Sequence, residues 1–347
     1  MSLNTGTPSA LQASCPARID IGNSLDYPSF FYSLPARKAY TTNIAVNLRT
    51  TVSWTATRNG YVSICRGHLK EDYHGIPDPE KSRLPMICAL LRHFEVRSGI
   101  FRIDSQVPLG SGLGGSGLLT VALLALIKRL HTGSVSERDF NSLVLSAHFF
   151  ENWLGYSSTG FHDQLAAVYG GAHIWNWGTH MRGRWPVFKK KSVMPPGGPE
   201  ELSRNLLVCF TGQAHSPNIA GSRFQSLPQK DIPKWSAVAD HARHFGLALR
   251  RSNWVQAARH LNEECQLREE LSPGCLSPRA RTLIREARQL GAGARYAGHG
   301  SGGTVWACGD SQVVAATKRC WRRMCRQWKG AWVKQPEVAA KGLVISY

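Results

Sequence analysis

The sequence predicts an α+β fold in two lobes, and three observations carry that reading. Segments with the two-residue period of half-buried strands are mixed with segments of helical period, without the regular strand–helix–strand order of a parallel sheet. At 347 residues the chain is long enough to bury a substantial core. A stretch rich in proline and glycine, VMPPGGPEELS at 193–203, reads as a linker. The expected division is a loose tail over 1–16, an N-terminal lobe over 17–195 and a C-terminal lobe over 196–347. The last strand is a candidate to return to the N-terminal lobe.

The elements follow in order. ARIDIG (17–22) alternates, and TTNIAVNLRTTVSWTA (41–56) and YVSICR (61–66) read as strands about the turn RNG. RLPMICALLRHF (83–94) has helical spacing, and GIFRIDSQVP (99–108) alternates again. After a glycine-rich loop, the apolar run LLTVALLALI reads as a helix ending near Thr132 and Gly133. Ser134 and Glu137 have capping-box spacing and open a second helix, which runs to Leu154. The second half offers strands at AHIWNW and NLLVCFTG, and helices around 233–251, 253–269 and SPRARTLIREARQLG. A strand–turn–strand at 294–309, a basic helix and a final strand, KGLVISY, complete it.

Composition narrows the function. Forty-two Lys and Arg against 23 Asp and Glu give a net charge of +19, which favours an anionic partner. The densest cluster, TKRCWRRMCRQWKG at 317–330, reads as an amphipathic helix with a solvated basic face rather than a nucleic-acid site. The apolar run Leu118 to Ile127 is too short to cross a bilayer, so no membrane partner is expected. Residues 1–16 have neither a basic nor an apolar signal region. Nine cysteines without a C-x-x-C pair suit reduced thiols in a cytoplasm.

The chemistry concentrates in VPLGSGLGGSG at 107–117. It formally matches the dinucleotide fingerprint, but RIDSQV before it is half polar and a second helix follows the first. A Walker A loop needs a lysine at its end, and none occurs before Lys128. A glycine loop abutting a helix N-terminus still makes a phosphate cradle from free N–H groups, and Ser111 and Ser116 add hydroxyls. On the helix that follows, Phe140, Val144, Ala147, Glu151 and Leu154 share one face. A carboxylate on that apolar stripe requires a partner, either an arginine or a cation. Asp163, in FHDQ, reads on its own as a helix N-cap.

These stretches resemble the motifs of the GHMP kinases. VPLGSGLGGSG is similar to the family's second motif, CPARIDIGNSLDYPSF (15–30) to its first, and YAGHGSGGTVWAC (296–308) to its third. FHDQLAAVYGG, ELSRNLLVCFTG and LREELSPGCLSP resemble the sugar 1-kinases related to D-glycero-D-manno-heptose 7-phosphate kinase and fucokinase. The resemblance implies a ribosomal protein S5 domain 2-like N-terminal lobe that binds ATP and a ferredoxin-like C-terminal lobe. It implies an ATP- and Mg2+-dependent kinase acting on a sugar hydroxyl. A non-sugar alcohol such as a hydroxy amino acid is the alternative substrate, and a catalytically weak binding protein on the same scaffold is the alternative function. The partner implied is a small-molecule sugar or sugar phosphate; a monomer and a homodimer are both compatible with the sequence.

Residue by residue, the resemblance implies ATP contacts from Pro108, Gly110, Ser111, Gly112, Leu113, Gly114, Gly115 and Ser116. It implies Mg2+ held by Ser116 and Glu151, Asp163 as the base, and Arg18 as an electrostatic partner. Sugar contacts fall on Asp26, Tyr27, Gly300 and Ser301. The motif departs from the family at Gly115, which stands where the family has a serine.

Overall fold

The computed structural model describes residues 10–22, 40–57, 60–155, 161–176, 188–214, 228–298, 300 and 302–347. Among them the strands form two sheets. The larger runs β12 (Val344–Ser346), β1 (Leu11–Gly22), β2 (Tyr40–Thr55), β5 (Gly99–Ser105), β3 (Tyr61–Arg66), β4 (Leu69–His74). The long β2 pairs with β5 through its second half and with β6 (Ala172–Asn176) through its first, and β7 (Lys189–Ser192) closes that edge. The smaller sheet runs β11 (Trp332–Lys334), β8 (Leu206–Phe210), β10 (Thr304–Cys308), β9 (Gly293–Tyr296).

Two sheets with helices packed on them bear out the α+β expectation, and the differences lie at particular elements. β1 starts at Leu11, so 11–16 belong to the sheet rather than to a loose tail, with Leu11, Ala13 and Cys15 alternating inward. Pro16 is tolerated within the strand because a bulge interrupts the ladder between Pro16 and Ala17. β2 and β3 are not sheet neighbours; β5 lies between them, parallel to β3. The proposed linker folds in part as helix α5 (Gly198–Arg204), in which Pro199 occupies the first turn, where its missing N–H costs nothing. The capping box belongs to Ser136 and Asp139, two residues beyond the expected pair. β7 exposes Lys189, Lys190 and Lys191, charges that discourage pairing with another chain at a sheet edge.

The helix α2 (Gly115–Thr132) is buried from Gly117 to Ile127 without a polar face. It packs against β1 and β2 on one side and against α3 (Phe140–Trp153) and α4 (His162–Tyr169) on the other, which explains its uniform apolarity. Helix α1 (Pro85–His93) packs against α2 and buries Ile87, Cys88, Leu90 and Leu91. The pair α6 (Ile232–Arg250) and α7 (Trp254–Leu271) joins the sheets: α6 packs on β1 and β2, and α7 packs on β9. Helices α8 (Pro278–Gln289) and α9 (Ser311–Cys325) complete the smaller layer. Among the described residues no helix is long and apolar enough to cross a membrane.

Candidate active site

The site begins with the backbone of the glycine loop. Gly110, Gly112 and Gly114 have φ of 65°, 74° and 84°, a left-handed conformation that L side chains resist. Gly114 is the N-cap of α2 and supplies no side-chain cap, so the first N–H groups of that helix are presented uncapped by any side chain. The turn after β9 closes on this loop from the other sheet. Thr304 N–H donates to Ser111 carbonyl at 2.9 Å, and a Cβ at Gly298 would stand 3.0 Å from the Gly112 carbonyl oxygen. The glycines of both motifs therefore permit one backbone to lie against the other. Leu113 and Ser111 are buried, Pro108 and Gly110 are half-buried, and Ser116 is exposed.

Beneath the loop lie the charged groups. Arg18 and Asp20, two apart on β1, point to one face of the strand. Arg18 donates through Nε to Asp163 Oδ1 at 2.6 Å, through Nη1 to the Gly112 carbonyl, and its Nη2 lies 3.1 Å from His162 Nε2. Its Nη1 is also 3.3 Å from Asp20 Oδ1. Asp163 sits in the first turn of α4, whose N-cap is Phe161, so its carboxylate serves Arg18 and not the helix end. The start of α4 is fixed by Asn43 of β2, which donates to the His162 carbonyl at 3.0 Å. A Cβ at Gly114 would stand 3.1 Å from Asp163 Cγ, and one at Gly117 would stand 2.9 Å from Asp163 Cβ. The acid is thus pressed against the loop.

Glu151 comes from the apolar face of α3 with Leu143, Val144, Ala147 and Phe150, and is 0% exposed. Burial first, and then the Asp163 charge, push its carboxyl up to about 7 against hydrogen bonds from Ser116 and Gln164. Gln164 donates to Oε2, while Oε1 has no hydrogen-bond partner. An orphaned buried carboxylate oxygen beside a serine hydroxyl is a donor set of hard oxygens, which suits Mg2+.

Asp20 is buried as well. Burial opposes its ionisation, but the guanidiniums of Arg18 and Arg295 hold it well below the usual carboxylate range. Asp20, His162 and Gln164 escaped the sequence reading. The strand period that pairs Arg18 with Asp20 could have found the first; the others need the tertiary fold. Gly300 is buried with φ of 83°, and a Cβ there would strike the Cys275 carbonyl, so close packing dictates this glycine. Asp26, Tyr27 and Ser301 lie outside the described residues.

Residues 83–171 match the GHMP kinases N terminal domain and 247–327 the GHMP kinases C terminal domain. The bifunctional fucokinase/GDP-fucose pyrophosphorylase of Arabidopsis thaliana is 26% identical over 233 residues, which take in 64% of this chain and 21% of that protein. The match thus spans about a fifth of the relative's length. Among solved structures, a D-glycero-D-manno-heptose 1-phosphate kinase from Bacteriodes thetaiotaomicron aligns with a TM-score of 0.74 at 16% identity, covering 97% of this chain and 99% of that one. A Lactococcus lactis galactokinase complexed with galactose aligns with a TM-score of 0.71 at 15% identity, over 96% and 95% of the two chains.

Proposed function

We propose that this chain, which carries the N-terminal and C-terminal domains of the GHMP kinases, is an ATP- and Mg2+-dependent kinase for a sugar hydroxyl. The acceptor proposed is the anomeric hydroxyl of a heptose, hexose or anionic sugar, and the group transferred is the γ-phosphoryl. The observation that carries the reading is the Asp163 carboxylate, held by Arg18, against the glycine loop. The names of the similar proteins support a sugar acceptor. All nine cysteines are free, which supports a cytoplasmic setting.

In this mechanism the opening N–H groups of α2, with the backbone of Pro108 to Ser116, bind the polyphosphate of ATP. Ser116 and Glu151 would hold Mg2+, which when bound would supply positive charge to the phosphate oxygens. Asp163 takes the proton of the attacking hydroxyl. Arg18 fixes that carboxylate through Nε and carries positive charge under the loop, where charge accumulates during transfer. It keeps its own proton, so its part is electrostatic. Asp26, Tyr27, Gly300 and Ser301 are the proposed sugar contacts.

The test is ATP consumption over a panel of heptoses, heptose phosphates, hexoses, uronic acids and hydroxy amino acids, with the product's regiochemistry read by phosphorus NMR. Turnover with a sugar and phosphate at the anomeric oxygen is expected. Turnover with hydroxy amino acids alone would overturn the acceptor, and absence of both turnover and ATP binding would overturn the kinase reading.

A further inference from the structure

We propose that His241, His260 and Glu263 form a transition-metal site of the zinc class that clips α6 to α7, separate from the Mg2+ ligands Ser116 and Glu151. The donors come from two neighbouring helices and converge. His241 Nδ1 lies 3.1 Å from His260 Nδ1, and Glu263 Oε2 lies 3.3 Å from the first and 3.6 Å from the second. A tetrahedral ion with bonds of about 2.0–2.1 Å separates neighbouring donor atoms by roughly 3.3–3.5 Å. The three observed separations bracket that value, so the edges of one tetrahedral face are already laid out.

The surroundings favour the same reading. The donor atoms all lie within 4.8 Å of one another on half-buried side chains. Arg259 Nε takes Glu263 Oε1 at 3.4 Å, which leaves Oε2 turned to the imidazoles. Such a carboxylate partner orients ligands in metal sites. His244 stacks on His260 at 5.3 Å between ring centroids and 26° between planes, restricting that ring. Two imidazoles and one carboxylate suit Zn2+, Cu2+ or Ni2+, whereas Mg2+ takes oxygen donors.

The location gives the clip a consequence. Next to His241, Ala242 packs on Gly22 at the end of β1, and its carbonyl accepts from Thr42 at 2.7 Å. Next to Glu263, Glu264 accepts from Gly22 N–H at 3.1 Å and from Arg295 of β9 at 2.7 Å. An ion joining the two helices therefore ties together the elements that connect the two sheets.

The experiment strips the full chain of metal and titrates it with Co2+, then with Zn2+, then with Mg2+. One equivalent of Co2+ with ligand-field bands of a nitrogen- and oxygen-bound tetrahedral ion, displaced by Zn2+ but not by Mg2+, is expected. His260→Gln and the more exposed Glu263→Gln should each weaken that binding by at least about tenfold. Circular dichroism of the metal-free variants checks that both fold. Bound Co2+ should also raise the unfolding midpoint of the wild type and leave that of His260→Gln unmoved. A thiolate charge-transfer band, equal affinity in the variants, or no saturable binding would each overturn the proposal.

Discussion

Glu151 and Glu264 are both fully buried on helices, and their surroundings are opposite. Both oxygens of Glu264 are used by the chain itself. Oε1 accepts from Gly22 N–H and from Arg268 Nε at 2.6 Å, and Oε2 accepts from Arg295 Nε at 2.7 Å. The result joins β1, α7 and β9 around Asp20, whose carbonyl also accepts from Arg295 at 2.7 Å. Glu151 has only the neutral donors Ser116 and Gln164, one of its oxygens has no hydrogen-bond partner, and its carboxyl is pushed up to about 7. A buried carboxylate satisfied by arginines fixes geometry; one left short of partners is costly to the fold and suits a charge brought from outside. One glutamate therefore reads as a brace between the sheets, and the other as a ligand in waiting.

The largest effect separating the two regions falls on catalysis. Asp163→Asn keeps the shape of the pocket and removes the proposed base, so kcat should fall by about 100- to 10,000-fold while ATP binding is nearly kept. Calorimetric nucleotide titration beside steady-state kinetics checks this; loss of ATP binding together with kcat would mean that Asp163 is structural. Next comes Glu264→Ala, which removes the buried carboxylate that Arg268 and Arg295 share. Denaturant unfolding should show a loss of about 3–5 kcal/mol. A change below 1 kcal/mol, which is the usual scale for surface pairs, would refute the brace.

Glu151→Gln should act in the opposite direction on stability. The native carboxyl holds its proton up to about 7, while the unfolded chain releases it from 4.5 upward. Native stability therefore falls as pH rises through that window, and the loss is complete above it. In metal-free buffer the variant should melt higher than the wild type at pH 8, by about 2 °C or more, and match it below pH 4.5. Equal midpoints at pH 8 would mean that Glu151 is as well satisfied as Glu264. The smallest effect is expected at Gly115, where a Cβ meets Val107 Cγ1 at an ordinary 3.6 Å. Gly115→Ser should shift stability by less than about 0.5 kcal/mol. Gly117→Ala, driven against Asp163 Cβ at 2.9 Å, should cost visibly more in the same unfolding assay.

The contrast also marks what the sequence makes legible. The glycine loop, the buried helix after it and the helical stripe carrying Glu151 are local patterns, and they were readable. Arg18 and Asp163 stand 145 residues apart and meet only because β1 and α4 both pack beside α2. Glu264 and Arg268 have the i,i+4 spacing of a helix pair, yet Arg295 and Gly22 join them only in three dimensions. β4, LKEDYH, was missed because an edge strand carries the charges that make it look like a loop. α5 was hidden by the proline that starts it.

The central claim is that Glu151 is left unsatisfied by the chain because it serves a cation with ATP. The most direct measurement is calorimetric ATP binding at pH 8, with and without Mg2+, in the wild type and in Glu151→Gln. Mg2+ should strengthen binding to the wild type and leave the variant's affinity nearly unchanged. An equal Mg2+ effect in both proteins would contradict the account.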